Sequence, residues 1–486
     1  MRTVINAKIS NLSEMEKVLS VKDDTCTQLT ALFGRFGLGN LLRHLSQEKQ
    51  FGLSAATLIM ALCLFRINKT SIFRAYHNKY NGLLDAGKNC FYRMLLRPSM
   101  DWRRLQIGVV SRFESILRKE RVSSSDRPRC FIIDDTTLEK TGFKIEKISR
   151  VFDHVSGRYI PGFKLLLLAV SDGISTLPVD FSLHRENGKN GNFGLSKEQS
   201  EKQCHITRLA DNPDKVRSEE CDKKKTIVTI EMLKRAWSHG IRAKYLLADS
   251  WFTCEWIISE VRKIGNGAIH FVGLAKLNKT RYKVAGKVHC AHELIALNQR
   301  EAKKCRKYKC LYVALNGMLG EQNVRIYLIK YGRNENWNIL LSSDMRMKFE
   351  EAFELYQMRW SIEVLNKECK GYLGLGGFQG RNFNGQIADC TLCFITYTVL
   401  ALGKRFSDYE TMGEIFRAEK TQLLALTLWS RVLSCIKMLL ETLAEILGCD
   451  VNQIILAILD GGKACDKIMI MLEALRKDDS RNPTVV

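Results

Sequence analysis

A chain of 486 residues, 45% hydrophobic and 26% charged, has a globular composition and enough sequence for two to four structural units. Its formal charge of +23 is concentrated, with 20 basic against 9 acidic residues in 1–125 and 14 against 4 in 275–335, which points to a polyanionic partner. Membrane attachment is disfavoured: the start, MRTVINAKISNLSEMEK, has no signal-peptide apolar stretch or lipidation motif, and the longest apolar segments, 55–65 and 390–403, read as buried helices too short for a bilayer.

Residues 1–125 are predicted to form a basic helical domain, with helical periodicity over 28–45, 54–65, 71–78, 90–96 and 102–118. The pair of helical runs in 54–78, broken near Asn68 and Lys69, is a weak helix-turn-helix candidate. A polar linker, 122–128, follows. The pattern then changes to continuous apolar runs, as in strands covered on both faces, at 130–133, 163–170 and 176–183. Residues 184–225 are rich in Gly, Asn, Lys and Glu, and read as a poorly ordered excursion.

A helix over 226–237, a fourth buried strand over 243–248, a helix over 253–263 and a fifth strand over 268–274 complete a first core segment, 126–274. Three strands, helix, strand, helix, strand is the order expected of a ribonuclease H-like sheet, in which the first strand lies beside the fourth. Residues 275–345 interrupt it with strand-like pieces at 309–315, 325–331 and 337–342 and a dense set of Lys and Arg. The core resumes over 346–400, and 401–486 forms a helical C-terminal region whose last ten residues are expected to be loose. Sixteen cysteines without secretory features imply reduced thiols in a cytosol. Cys390-Thr-Leu-Cys393 lies in an apolar helix, and His289, Cys290, His292, Cys305 and Cys310 lack paired CxxC spacing, so both sets read as structural.

The chemistry-bearing stretch is 356–370, predicted as one helix. At about 100° per residue, Tyr356, Arg359, Glu363 and Lys370 fall within about 60° of one another, while Leu355, Met358, Ile362 and Leu365 form the opposite, core-facing stripe. Glu354 and Glu368 point elsewhere, so Glu363 is the carboxylate aimed with the Tyr, Arg and Lys. Strand 130–133 runs into Asp134-Asp135-Thr136-Thr137, and strand 243–248 into Asp249. An Asp before Thr-Thr or Ser-Trp is also good turn chemistry, and a charged helix face is usually solvated. Two strand-end Asp residues and a helix Glu together instead make a cage suited to hard divalent cations such as Mg²⁺.

Asp135 in Asp-Asp-Thr-Thr, Asp249 in Leu-Ala-Asp-Ser and the gapless spacing Tyr356, Arg359, Glu363, Lys370 resemble the DDE transposases of bacterial insertion sequences, in their YREK-signature group. The resemblance covers about residues 126–400. It implies an α/β chain with a ribonuclease H-like core and a β-rich insertion, flanked by helical N- and C-terminal regions. It also implies a metal-binding catalytic triad of Asp135, Asp249 and Glu363 holding two Mg²⁺ ions, with Mn²⁺ as a substitute. Tyr356, Arg359 and Lys370 then contact DNA phosphates, and Trp337 is the candidate for stacking on a flipped base, with sheet packing as its competing role. The implied activity is cleavage at the ends of a mobile element, a hairpin intermediate and joining to target DNA, performed in the cytoplasm at the nucleoid by a homodimer on double-stranded DNA. Two further readings stay open: a catalytically inactive DNA-binding repressor, and a non-mobile nuclease with the same core.

Overall fold

The strands form where the apolar runs lie. In a computed structural model, which describes residues 32–45, 47, 52–77, 87–122, 125–332, 336–421 and 440, one sheet contains β1 (Cys130–Glu139), β2 (Ser149–Asp153), β3 (Arg158–Ser171), β4 (Thr176–His184), β5 (Tyr245–Ala248), β6 (His270–Ala275), β7 (Arg281–Val284), β8 (Lys287–Cys290), β9 (Lys303–Cys305), β10 (Cys310–Leu319), β11 (Gln322–Tyr331) and β12 (Trp337–Ser342). Everything described below belongs to one unit, Ala31–Tyr76 with Ala86–Ala418. A second unit, Met1–Thr30 with His77–Asp85 and Glu419–Val486, lies almost wholly outside the described residues, as do the predicted helical sequence after 421 and the tail.

The sheet order is β2-β3-β1-β5-β6-β12-β11-β10-β7-β8, with β4 also on β3 and β9 on β10. β1 runs antiparallel to β3 and parallel to β5, from Cys130↔Tyr245 to Ile133↔Ala248, and β5 runs parallel to β6. The first predicted strand therefore does lie beside the fourth. Residues 130–133 and 246–248 are fully buried, as strands covered on both faces require. β2 has no counterpart in the sequence reading, because Ser-Arg-Val-Phe-Asp offers only two adjacent apolar residues. The strand-like pieces expected at 309–315, 325–331 and 337–342 are β10, β11 and β12, and antiparallel pairing of β12 with β6 joins β7 to β12 to the same sheet.

The helices used below are α1 (Ala55–Ile67), α2 (Lys88–Leu95), α3 (Trp102–Lys119), α4 (Pro213–Glu220), α5 (Lys225–Ser238), α6 (Glu255–Lys263), α7 (Phe349–Gln357), α8 (Trp360–Leu373) and α9 (Phe383–Arg405). Local chemistry starts several of them: the side chains of Ser54, Asp101 and Asn382 accept the N–H groups of Thr57, Arg104 and Asn384. α9 corrects the estimate of apolar length. At 23 residues it is long and apolar enough to cross a membrane by length and composition, yet every residue from Phe383 to Gly403 is buried inside the protein. It packs against α1, α3, α8 and β4. Arg66 of α1 donates to Leu373 O at 2.9 Å and Asp389 O at 2.7 Å, joining α1 to both α8 and α9.

Residues 184–225, expected to be poorly ordered, are folded, and their charges explain why. Arg103 Nε of α3 and Arg235 Nε of α5 each lie 2.9 Å from a carboxylate oxygen of Asp180 on β4. Arg217 and Glu220 of α4 complete this buried network. Arg208 pairs with Glu146 at 2.7 Å and with Asp214 at 3.0 Å. Polar composition normally signals solvent; here most of the buried charge finds a partner far away in the chain.

Candidate active site

β1, β5 and α8 bring the site together. Asp134 and Asp249 each follow the last paired residue of parallel neighbours, Ile133↔Ala248, so they stand side by side where β5 ends; β1, expected to end at the Asp pair, instead runs on along β3 to Glu139. Asp249 opens a turn in which its Oδ1 accepts the N–H groups of Trp251 at 2.9 Å and Phe252 at 3.3 Å. Leu355, Met358, Ile362 and Leu365 are buried as the core stripe predicts, which aims the other side of α8 at β1.

The expected single helix is two. α7 ends at Gln357, and Met358 and Arg359 form a tightened turn with i→i+3 bonds, Arg359 N to Tyr356 O at 3.0 Å and Ile362 N to Arg359 O at 3.2 Å. The turn leaves Arg359 facing the strand ends. Its Nη1 is 3.3 Å from Asp134 Oδ2 and its Nη2 is 2.5 Å from Glu363 Oε1. One guanidinium thus joins a carboxylate from the middle of β1 to the helix carboxylate. Its Cζ also lies 5.8 Å from the ring centroid of Tyr356.

Asp135 lies elsewhere. Neighbours on a strand face opposite sides, and Asp135 ion-pairs with Lys225, the first residue of α5. Thr136, on the same side as Asp134, accepts from Lys370 Nζ at 2.7 Å. The structure therefore gathers Asp134, Asp249, Tyr356, Arg359, Glu363 and Lys370 on one side of β1, and puts Asp135 on the other. Trp337 opens β12, whose pairing with β6 brings it to the same sheet edge two strands from β5; no hydrogen bond or ring contact joins it to the carboxylates among the described residues. Sequence reasoning left Asp134 aside and did not single out Lys225. Alternation alone carried the signal for Asp134, since only a parity choice separates it from Asp135.

Electrostatics mark the same place. Burial pushes the Asp134 carboxyl up to about 7 against the pull of Arg359, with Asp249 and Asp135 adding repulsion. Burial likewise raises the Tyr356 hydroxyl to about 12, so it stays protonated and can donate. Lys370 is lowered by burial. The oxygen donors suit a hard divalent cation. Among the described residues no three ligating side chains converge closely enough to hold an ion, and Arg359 and Lys225 supply the positive charge beside Asp134, Glu363 and Asp135.

A mixed α/β protein with acidic side chains gathered from β1, the end of β5 and α8, and with cations at their margin, is consistent with a nuclease. Residues 85–270 match the family described as DDE superfamily endonuclease, which supports a DDE-type transposase family and a nuclease in general. The match takes in Asp134, Asp135 and Asp249 and ends before Glu363. No curated protein matches the chain.

Proposed function

We propose that the chain is a DNA transposase that binds the ends of its mobile element, cleaves phosphodiester bonds with two divalent metal ions and joins the 3′ ends to target DNA. The observation that carries this reading is Arg359 bridging Asp134 and Glu363, with Asp249 near enough to repel the Asp134 carboxylate, a constellation drawn from three distant segments. In this reading 126–274 and 346–400 form a ribonuclease H-like core, 275–345 a β-rich basic insertion, 1–125 a DNA-binding region and 401–486 a helical C-terminal region.

Asp249 and Glu363 would hold the ions with Asp134, supported over the resemblance-implied Asp135 by its place on the side of β1 that meets Arg359, once that guanidinium no longer bridges Asp134 and Glu363. When bound, the ions supply a Lewis acid and a centre that activates water or a hydroxyl. Arg359 moves from carboxylate to phosphate as DNA enters, gripping it with two donors, and Lys370 adds a point charge from its seat on Thr136. Tyr356 donates its retained proton to a phosphate oxygen. Trp337 meets an unstacked base at the edge of the site. Paired ends require a homodimer on double-stranded DNA.

The test uses the purified full chain, Mg²⁺ and duplex DNA from the sequence flanking its reading frame, where terminal inverted repeats are expected. Metal-dependent nicking at the repeat and joined products in plasmid DNA are the expected result. Asp134→Asn, Asp249→Asn and Glu363→Gln should each lower cleavage at least about a thousandfold while DNA stays bound. Full cleavage by Asp134→Asn with loss in Asp135→Asn would restore Asp135 to the set. Nicking without joined products would mean a non-mobile nuclease, and binding without nicking a repressor.

A further inference from the structure

The chain leaving α8, Gly374-Leu-Gly-Gly-Phe-Gln-Gly-Arg381, is neither helix nor strand, yet it is firmly held. The buried Lys140, next after β1, donates to Gly376 O at 2.6 Å and to Phe378 O at 2.8 Å, and Gln379 Oε1 accepts from Thr141 N at 3.3 Å. Two glycines seat the Phe378 ring. A Cβ at Gly380 would fall 2.3 Å from it and one at Gly385 2.8 Å from it, so any larger residue at either place would displace the ring.

Phe378 forms one wall of a cavity of about 1060 Å³, with Phe65 of α1 and Tyr92 of α2 among the other walls. Four cations line it: Arg66, Lys69, Lys370 and Arg381. Arg66 is taken by Asp389, the one acidic residue lining the cavity among the described residues, which leaves three positive charges unopposed there. The cavity also adjoins the carboxylates. Lys370 rests on Thr136 Oγ1 at 2.7 Å, on the Asp134 side of β1, and lies about two turns along α8 from Glu363.

We propose that this cavity is a groove for single-stranded DNA, in which unpaired bases lie against Phe65, Tyr92 and Phe378 while their phosphates meet Lys69, Lys370 and Arg381. The inference rests on the DNA-cleaving reading above and deepens it, by giving a strand parted at the carboxylates a place to go. Rings interleaved with cations are what an unpaired strand requires, since every base has a face to stack and every link a charge to neutralise. A duplex keeps its bases stacked on one another and leaves the rings nothing to hold. One small molecule needs less room, about 300 to 1,000 Å³, and an apolar one needs no cations.

Stacking and charge are separated by two fluorescent strands of equal length, oligothymidylate and its abasic counterpart, titrated into the full chain in EDTA and followed by anisotropy. Wild type binds the base-bearing strand at least about tenfold more tightly than the abasic one. Phe378→Leu changes no charge; it removes most of that preference and leaves abasic binding as it was. Lys69→Met weakens both strands and lowers the salt slope by about 0.7. Thermal melts establish which variants are folded, and Tyr92→Leu takes the place of Phe378→Leu should the latter fail to fold. Equal affinity of wild type for the two strands, or a preference that survives in folded Phe378→Leu, overturns the groove without touching nicking at the terminal repeats. A wild type that shows the preference but nicks no DNA overturns the cleavage reading instead.

Discussion

Replacing Arg359 with Met removes the guanidinium shared by Asp134 and Glu363 and keeps much of its apolar stem. At an effective dielectric of 20, contacts of 3.3 Å and 2.5 Å correspond to gross attractions of about 5 and about 7 kcal/mol. Desolvation of the guanidinium offsets most of this, and removing one partner of a buried pair typically costs about 3 kcal/mol. Asp134 can escape that cost by taking a proton. Its carboxyl already sits at about 7 because burial disfavours the charged form, and loss of Arg359 moves it higher still. The sign follows: below about pH 7 Asp134 is neutral with or without Arg359 and the penalty vanishes, whereas above it the penalty grows with pH and is full only past the still higher point at which the variant's Asp134 ionises. Urea unfolding in EDTA should therefore show Arg359→Met weaker by less than about 1 kcal/mol at pH 5.5, by about 1 to 1.5 kcal/mol at pH 8, and by more as pH rises further. An equal loss at both pH values, or none at pH 8, would refute the argument that this arginine neutralises Asp134.

Three further outcomes can be checked independently. Asp180→Asn leaves three arginines facing one buried carboxylate, Glu220, and should cost about 3 to 5 kcal/mol in urea unfolding. His184, lowered to about 4 by burial and by Lys225, contributes stability that is full above about pH 6.5 and lost as pH falls toward 4. That loss amounts to about 3 kcal/mol, and His184→Gln should flatten this part of the stability profile. Lys370→Met should weaken binding of duplex DNA about equally for all sequences and reduce the salt slope by about one, measured by fluorescence anisotropy; an unchanged slope would remove Lys370 from the phosphate contacts.

Much of the sheet was legible because its strands are continuous apolar runs, and Cys130–Ile133, Phe163–Val170 and Tyr245–Ala248 need no context to be recognised. The apolar stripe of Leu355, Met358, Ile362 and Leu365 was equally plain from periodicity. What stayed hidden depends on partners distant in sequence. Asp180, Arg217 and Glu220 look like solvent-facing charge until Arg103 and Arg235 are placed beside them. The tightened turn at Met358 and Arg359 carries no Gly or Pro to announce it. The choice between Asp134 and Asp135 turns on which face of β1 meets α8, a fact that lies outside any local pattern.

The burial of α9 also has a consequence for synthesis. Its residues Phe383–Gly403 fill the space among α1, α3, α8 and β4, and Arg66 waits for an Asp389 made 323 residues later. On the ribosome, the early helices emerge with their inner faces unclaimed, and they stay so until translation is nearly past Arg405. Products that stop short of Phe383 are thus expected to be chaperone and protease clients rather than partial enzymes, because this long spoke must arrive before the earlier helices can close around it.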